Sequence, residues 1–182
     1  MTVEKNEQAF VLTGGPGVGK TALLVELRGR GLYCVSEPAR IVLAEQRALV
    51  GEALPDVNSK AFCDLLVARS IQDFGLRKNY NEITIFDRGV PDNIAYASSF
   101  GLDVISFNLA AASYVYNEKV FLLSPWEEIY TTDHERKMNF HQVCEFHEEI
   151  CRIYKKLGYR LIEVPPAAVA ERARFIQSII ST

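Results

Sequence analysis

The sequence predicts an α/β fold built on an open parallel sheet with helices on both faces. Two observations support this prediction. Five short apolar runs alternate with longer segments in which apolar residues recur at helical spacing, and a glycine-rich motif joins the first run to the first helix. Strands that alternate with helices are connected by crossovers, which make neighbouring strands parallel. In such a sheet the ligand lies beyond the carboxyl ends of the strands.

The apolar runs define five predicted strands, at residues 9–13, 32–36, 83–86, 119–123 and 159–164. The helical patterns define predicted helices at residues 22–28, 39–50, 61–80, 92–100, 104–115, 140–157 and 169–180. The first eight residues are polar, and we expect them to be frayed. Because no linker or repeat divides the chain, its 182 residues, 48% of them hydrophobic, should form one domain over residues 1–182.

The bulk composition limits the partners and the location of the protein. The net charge is −3, which argues against nucleic acid as a partner, since that would need a basic face. No apolar run is long enough to span a bilayer, and the first residues lack the apolar centre of a secretion signal. We therefore expect a cytoplasmic protein with reduced cysteines and no membrane partner. The oligomeric state stays open.

Residues 13–21 read Thr-Gly-Gly-Pro-Gly-Val-Gly-Lys-Thr and fit the phosphate-binding pattern G-x-x-x-x-G-K-[ST]. Its glycines let backbone N–H groups surround a polyphosphate, and the helix that follows directs its positive dipole end at the same anion. Lys20 would meet the β- and γ-phosphates, and Thr21 would offer a hydroxyl to Mg²⁺. The pattern predicts ATP and Mg²⁺ as ligands. The predicted nucleotide-binding residues are Gly14, Gly15, Pro16, Gly17, Val18, Gly19, Lys20 and Thr21.

Asp87 ends the third predicted strand, where P-loop proteins place the acid that holds Mg²⁺. The alternative is a turn-forming aspartate before Gly89. The residue after Asp87 is Arg88, whereas many hydrolysing ATPases have a water-polarising glutamate there. Arg88 offers a fork to a phosphate or to a neighbouring carboxylate. We predict Thr21 and Asp87 as metal ligands and Arg88 as a catalytic residue.

Glu37 and Arg136 complete the predicted catalytic set with Lys20 and Arg88. Glu37 follows the second strand and could accept the proton of an attacking hydroxyl. It could equally pair with Arg40 or Arg88 and fix the loop, and the two roles are compatible. The charged segment at about residues 126–140 could fold over the nucleotide as a lid. Arg136 would then place its own positive charge beside the transferring phosphoryl group. A solvated helix with Glu and Lys/Arg pairs would show the same charge pattern.

Several segments stand in an informative order along the chain. They are the phosphate loop, Ser-Glu-Pro-Ala-Arg at 36–40, Phe-Asp-Arg-Gly-Val-Pro-Asp at 86–92, Pro-Trp-Glu-Glu-Ile-Tyr at 125–130 with Asp133, Glu135 and Arg136, and the run from Gly158-Tyr159 to Glu163-Val164-Pro165. Together they resemble a family of predicted AAA-type ATPases that is similar to the P-loop kinase domain of ribosylnicotinamide kinases. The resemblance covers nearly the whole chain.

This resemblance implies the P-loop NTPase fold of nucleoside and nucleotide kinases, with a five-stranded parallel sheet and a helical lid. In deoxynucleoside kinases, an acid before proline at the second strand end serves as base, and an acid–arginine pair ends the third strand. Glu37 and the pair Asp87-Arg88 stand at those places. The lid matches that pattern less closely, because its arginine, Arg136, is accompanied by Lys137 where those kinases usually carry several arginines.

The sequence therefore predicts a Mg-ATP-dependent phosphotransferase that moves the γ-phosphoryl group to a hydroxyl of a small acceptor, with nucleoside-like molecules as candidates. Two alternatives stay open. One is an ATP hydrolase or switch with water as the acceptor, and the other is a nucleotide-binding module without turnover. The candidate acceptor contacts are Arg40, Arg47, Asp92, Asn93 and Tyr96.

Overall fold

A computed structural model of the protein describes residues 2–129 and 138–181. The strands are β1 (Glu4–Lys5), β2 (Ala9–Gly14), β3 (Tyr33–Val35), β4 (Thr84–Asp87), β5 (Tyr114–Val115), β6 (Lys119–Leu123) and β7 (Arg160–Glu163). The helices are α1 (Lys20–Gly29), α2 (Pro38–Ala48), α3 (Ser59–Arg77), α4 (Asp92–Ser99), α5 (Ile105–Ser113), α6 (Phe140–Lys156) and α7 (Val169–Ile180). A short 3₁₀ helix covers Glu127–Ile129.

The main sheet has five parallel strands in the order β3–β4–β2–β6–β7. The central strand, β2, places Leu12 opposite Asp87 of β4 and opposite Phe121 of β6. All six residues of β2 are buried, as a strand covered by helices on both faces requires. The carboxyl ends of these strands therefore meet at one edge, where the phosphate loop also lies.

Each face of the sheet has its own apolar core. The side chains of β2 alternate between them, since successive residues of a strand point to opposite faces. One core is formed with α1 and α7 and includes Phe10, Leu12, Leu23, Leu27, Phe121 and Ile176. The other is formed with α3, α4 and α6 and includes Val11, Phe74, Phe86, Ile94, Ile150 and Tyr154. These cores fix the positions of the helices that surround the edge.

The structure confirms the predicted fold class and corrects two local expectations. Residues 1–8 were expected to be frayed, but Glu4–Lys5 pairs in parallel with Tyr114–Val115. The Asn6 side chain also donates to the Arg77 carbonyl oxygen at 3.3 Å. The helix expected at 104–115 ends at Ser113, since its last two residues, tyrosine and valine, favour strands and join this second sheet.

Two further statements concern the described residues. The expected lid begins with the 3₁₀ helix, and residues 130–137 of it lie outside the described part of the chain. In the two described ranges, none of the helices combines the length and apolarity needed to cross a bilayer.

Candidate active site

The phosphate loop connects β2 to α1 at the carboxyl edge of the sheet. Gly14 has φ 136°, and a Cβ there would overlap the Leu123 carbonyl oxygen, so only glycine fits. Gly19 has φ 86° and precedes the first residue of α1. Among the described residues no side chain caps α1, and its first turn carries no acid. The first N–H groups of α1 are therefore left to meet an anion.

Lys20 is held inside this loop. Its ammonium group donates hydrogen bonds to the carbonyl oxygens of Gly14 at 3.1 Å and Gly15 at 2.9 Å, and the residue is buried. Burial, together with the charge of Arg88, lowers the pKa of Lys20 to about 8. The lysine is thus still mostly charged at neutral pH.

A cavity of about 1240 Å³ opens beside the loop. It brings together four of the predicted catalytic and metal-binding residues, Lys20, Thr21, Glu37 and Arg88, with Pro16, Gly17 and Gly19 of the predicted nucleotide-binding loop. Next to Glu37 and Arg88 the wall is apolar and aromatic. That part is formed by Ala39, Leu43, Phe62, Tyr96, Phe100 and Phe146, with Arg40 and Arg47 at polar positions. A pocket with a few convergent polar groups on an apolar wall is typical of a small-molecule site.

Glu37 and Arg88 form a buried ion pair on the wall of the cavity. Glu37 precedes α2, whose first residue is Pro38, a position that suits proline. Its Oε1 accepts from Arg88 Nε at 2.7 Å and from the Tyr96 hydroxyl at 3.3 Å, and its Oε2 accepts from Arg40 Nε at 3.4 Å. Burial raises the pKa of Glu37, but the charges of Arg88 and Lys20 outweigh it and bring it to about 2. Both the expected pairing and the expected position on the cavity wall are present.

Asp92 anchors Arg88 from below. Its carboxylate accepts hydrogen bonds from the Thr13 hydroxyl at 2.5 Å, the Tyr154 hydroxyl at 2.5 Å, the Gly89 N–H at 2.8 Å and the Arg88 guanidinium at 3.3 Å. Arg88 needs such support because its φ of 71° is unusual for a residue with a side chain. Its guanidinium also donates to the Gly14 carbonyl oxygen at 3.0 Å, which joins β4 to the phosphate loop.

The structure corrects the expectation that Asp92 and Asn93 contact the acceptor. Both are buried below the cavity wall, and Asn93 donates to Ser70 Oγ and to the Val90 carbonyl oxygen. The reason is that Asp92 begins α4 directly after the Arg88-Gly89 turn, which directs these first residues into the core. The other candidate contacts, Arg40, Arg47 and Tyr96, do line the cavity.

Asp87 is the last residue of β4 and is 3% exposed. Its Oδ1 is buried without a hydrogen-bond partner among the described residues, and burial raises its pKa to about 6 despite the charge of Lys20. A buried carboxylate oxygen without a partner is costly, so this atom fits a cation or a metal-bound water. Thr21 lies on the cavity wall at the start of α1. These two residues fit the limited protein contribution that Mg²⁺ needs when phosphates and water supply its other ligands.

A protein-family model described as an AAA domain matches residues 9–172. The chain belongs to this family. This match confirms the predicted family resemblance. A search of curated proteins finds no significant match to this chain.

Solved structures share the fold of this AAA domain at low sequence identity. NadR protein in complex with NAD and AMP-PNP has a TM-score of 0.70 at 16% identity, over 95% of this chain and 48% of NadR. The chain thus spans about half the length of NadR. Deoxyadenosine kinase from M. mycoides has a TM-score of 0.64 at 16% identity, over 95% and 98% of the two chains. Thymidylate kinase from Ehrlichia chaffeensis gives 0.64 at 16%, over 97% and 100%. The AAA domain has the fold of P-loop kinases.

Sequence reasoning missed several residues that shape the site of this AAA domain. Thr13 and Tyr154 hold Asp92, Phe146 lies 5.7 Å from the Arg88 guanidinium carbon by its ring centroid, and Arg172 contacts the phosphate loop from behind. A threonine inside a fully buried strand was the one available signal, because a buried hydroxyl needs a partner. Arg136, the predicted lid cation, lies outside the described residues.

Proposed function

We propose that this protein is a Mg-ATP-dependent phosphotransferase that moves the γ-phosphoryl group of ATP to a hydroxyl of a small acceptor, with nucleoside-like molecules as candidates. One observation carries the proposal. A single cavity of about 1240 Å³ is lined by the phosphate loop, by the Glu37–Arg88 ion pair and by an aromatic wall. A second ligand therefore has room next to the terminal phosphate of the first.

The triphosphate would bind in the loop of residues 14–21. The N–H groups at the start of α1 have no side-chain cap among the described residues, and Lys20 and Arg88 add two positive charges. Thr21 and Asp87 would hold Mg²⁺ directly or through water. When bound, this ion supplies charge neutralisation at the β- and γ-phosphate oxygens.

The acceptor would bind on the far side of Glu37. Tyr96 and Phe146 lie 5.3 Å apart by ring centroids, and Phe100 and Leu43 extend the same wall. Such a surface favours a flat ring through offset or edge-to-face contacts. Arg40 and Arg47 add donors for polar substituents of that ring or of an attached sugar. This supports a nucleoside-like acceptor without naming the base.

Glu37 would orient the acceptor hydroxyl and take its proton as the new bond forms. A carboxylate whose pKa lies near 2 is a weak base, so Glu37 would remove little of the acceptor's hydroxyl proton before the new P–O bond forms. Phosphoryl transfer passes through a loose transition state in which little proton removal is required. The low pKa has one benefit, because it keeps Glu37 ionised and able to accept the hydrogen bond at any physiological pH.

Two other functions compete with this one. A hydrolase needs a residue that orients water, and the position after Asp87 carries Arg88, which is committed to Glu37, Asp92 and Gly14. A binding module would share the whole phosphate loop but needs no cavity beyond it. The continuation of the cavity favours the kinase over both.

A turnover assay with a panel of nucleosides tests the proposal. ADP release is followed with a coupled enzyme assay, and products are identified by mass spectrometry. We expect ADP release that one class of acceptor stimulates, with one phosphorylated product for each ADP. Release of inorganic phosphate at the same rate without acceptor would indicate the hydrolase, and nucleotide binding with no turnover would indicate the binding module. Lys20→Ala, prepared identically, controls for contaminating ATPases.

A further inference from the structure

Arg172 is a buried cation that has no countercharge in the described part of the chain. It lies on α7, behind the phosphate loop, and is 6% exposed. Its guanidinium donates one hydrogen bond, at 3.1 Å, to the carbonyl oxygen of Val18. The Nε atom has no partner, and no carboxylate pairs with the guanidinium within residues 2–129 and 138–181. Burying an unpaired charge costs folding free energy, so a chain that keeps one there calls for an explanation.

The contact with Val18 acts on a peptide group that faces the cavity. In a trans peptide the C=O and the N–H point in opposite directions, and the described chain contains no cis peptide. Because the Val18 carbonyl is turned towards Arg172, the N–H of Gly19 is turned away from α7. Val18 is buried in the core, whereas Gly19 lines the cavity. The N–H of Gly19 therefore points to the side where the phosphates would lie.

This peptide would otherwise rotate easily. It joins Val18 to Gly19, which has a φ of 86°, and glycine exchanges between such conformations at little cost. A rotated peptide would present the Val18 carbonyl oxygen, which repels phosphate, in place of the N–H. A fixed donor at the place where negative charge binds is worth more than one that must reorient first.

We propose that Arg172 is a positioning residue for nucleotide binding, which holds the Val18–Gly19 peptide with its N–H towards the phosphates and adds a buried positive charge behind the loop. This inference rests on the proposed nucleotide-binding function. A bound triphosphate would supply the negative charge that the described residues do not offer to Arg172. Arg172 thus lowers the folding stability of the ligand-free protein and raises that of the nucleotide-bound protein.

The test compares Arg172→Met and Arg172→Lys with a control on the same helix, Arg174→Met. Arg174 is exposed and pairs only loosely with Glu171, at 4.0 Å. Affinities for ATP and for inorganic tripolyphosphate are measured by calorimetry, and unfolding of the ligand-free protein by thermal denaturation. Tripolyphosphate reports on the phosphate loop alone, since it carries no base.

We expect Arg172→Met to lose about 10- to 100-fold in affinity for both ligands, the range for a hydrogen bond to a charged group. Its ligand-free melting temperature should stay equal to that of the wild type or rise. Arg172→Lys should keep part of the affinity, because it keeps the charge, and Arg174→Met should change neither quantity.

A merely structural link between α7 and the loop gives the opposite result: a lower melting temperature with unchanged affinity in the folded fraction. That outcome overturns the inference. If Arg172→Met does not fold, wild-type affinity of Arg172→Lys for both ligands, with a lower melting temperature, overturns it as well. Wild-type protein that binds neither ligand would overturn the proposed function along with it. Binding that depends on Lys20 but not on Arg172 would overturn this inference alone.

Discussion

Replacing Glu37 by glutamine should lower both the free energy of unfolding and the rate of phosphoryl transfer. The carboxylate of Glu37 is 13% exposed, and its strongest contact is the 2.7 Å ion pair with Arg88, which is 4% exposed. Glutamine keeps the size and can still accept a hydrogen bond, but it removes the charge. Asp92 is then the one carboxylate among the described residues that still accepts from Arg88, beside the neutral carbonyl oxygen of Gly14.

The size of the stability loss follows from the pKa of Glu37. The fall from an ordinary 4.5 to about 2 corresponds to about 3 kcal/mol of stabilisation at neutral pH. Because the folded pKa lies below the unfolded one, this contribution is complete above pH 4.5 and is lost as the pH falls towards 2. Glu37→Gln should therefore be less stable than wild type by about 3 kcal/mol at pH 7. The difference should shrink below pH 4.5.

Urea unfolding at pH 7 and pH 3 measures the stability, and single-turnover phosphoryl transfer measures the chemistry. Transfer should fall by about 10²-fold, the low end for a positioned base, while ATP affinity hardly changes. Glu45→Gln is the matched control: Glu45 lies on α2, the helix that Glu37 precedes, and pairs with Arg69 at 2.6 Å, but its side chain is 47% exposed. Such a pair is worth at most about 1 kcal/mol. A stability loss no larger than that of the control would refute the ion pair, and near-normal transfer would refute the role of Glu37 in the reaction.

Three further substitutions probe the other groups of the site. Lys20→Ala should abolish turnover and leave the fold intact, so wild-type turnover in the folded variant would reject the phosphate-loop assignment. Asp87→Asn should raise ligand-free stability at pH 7 by up to about 3 kcal/mol, since burial raises the pKa of Asp87 from 3.8 to about 6 and penalises its ionised form above that pH. The same variant should need far more Mg²⁺ for turnover, and an unchanged Mg²⁺ titration would make Asp87 a turn residue only. Arg136→Ala should lower kcat with little effect on ATP affinity, whereas the reverse pattern would make Arg136 a ground-state contact.

The strands, the helices and the phosphate loop could be predicted because their signals are local. Apolar runs, helical spacing and the motif at residues 13–21 all lie within a few residues of one another. The pairing of Glu37 with Arg88 was also within reach, since two strand ends of a parallel sheet lie side by side. For this pair, the rule that the ends of neighbouring parallel strands lie at one edge of the sheet supplies the spatial proximity that the sequence does not show.

The remaining contacts depend on residues that are far apart in the sequence. Asp92 is held by Thr13 and Tyr154, which are 79 and 62 positions away, and Arg172 reaches Val18 over 154 positions. Nothing in the local pattern distinguishes a buried aspartate at a helix start from an exposed one. The short strand Glu4–Lys5 was missed for the same reason, because its partner follows more than 100 residues later.

The two hydrogen bonds that Lys20 makes within its own loop turn nucleotide binding into an exchange. In the proposed complex the ammonium group would exchange the carbonyl oxygens of Gly14 and Gly15 for phosphate oxygens, so the measured affinity would reflect only the difference between the two sets of partners. The phosphate charge should also raise the pKa of Lys20 from the value of about 8 that burial and the charge of Arg88 impose in the empty loop. Near pH 8 we therefore expect the protein to take up a fraction of a proton for each ATP bound. The heat of binding then varies with the ionisation enthalpy of the buffer, and the number of protons taken up reports how far Lys20 has moved from carbonyl to phosphate.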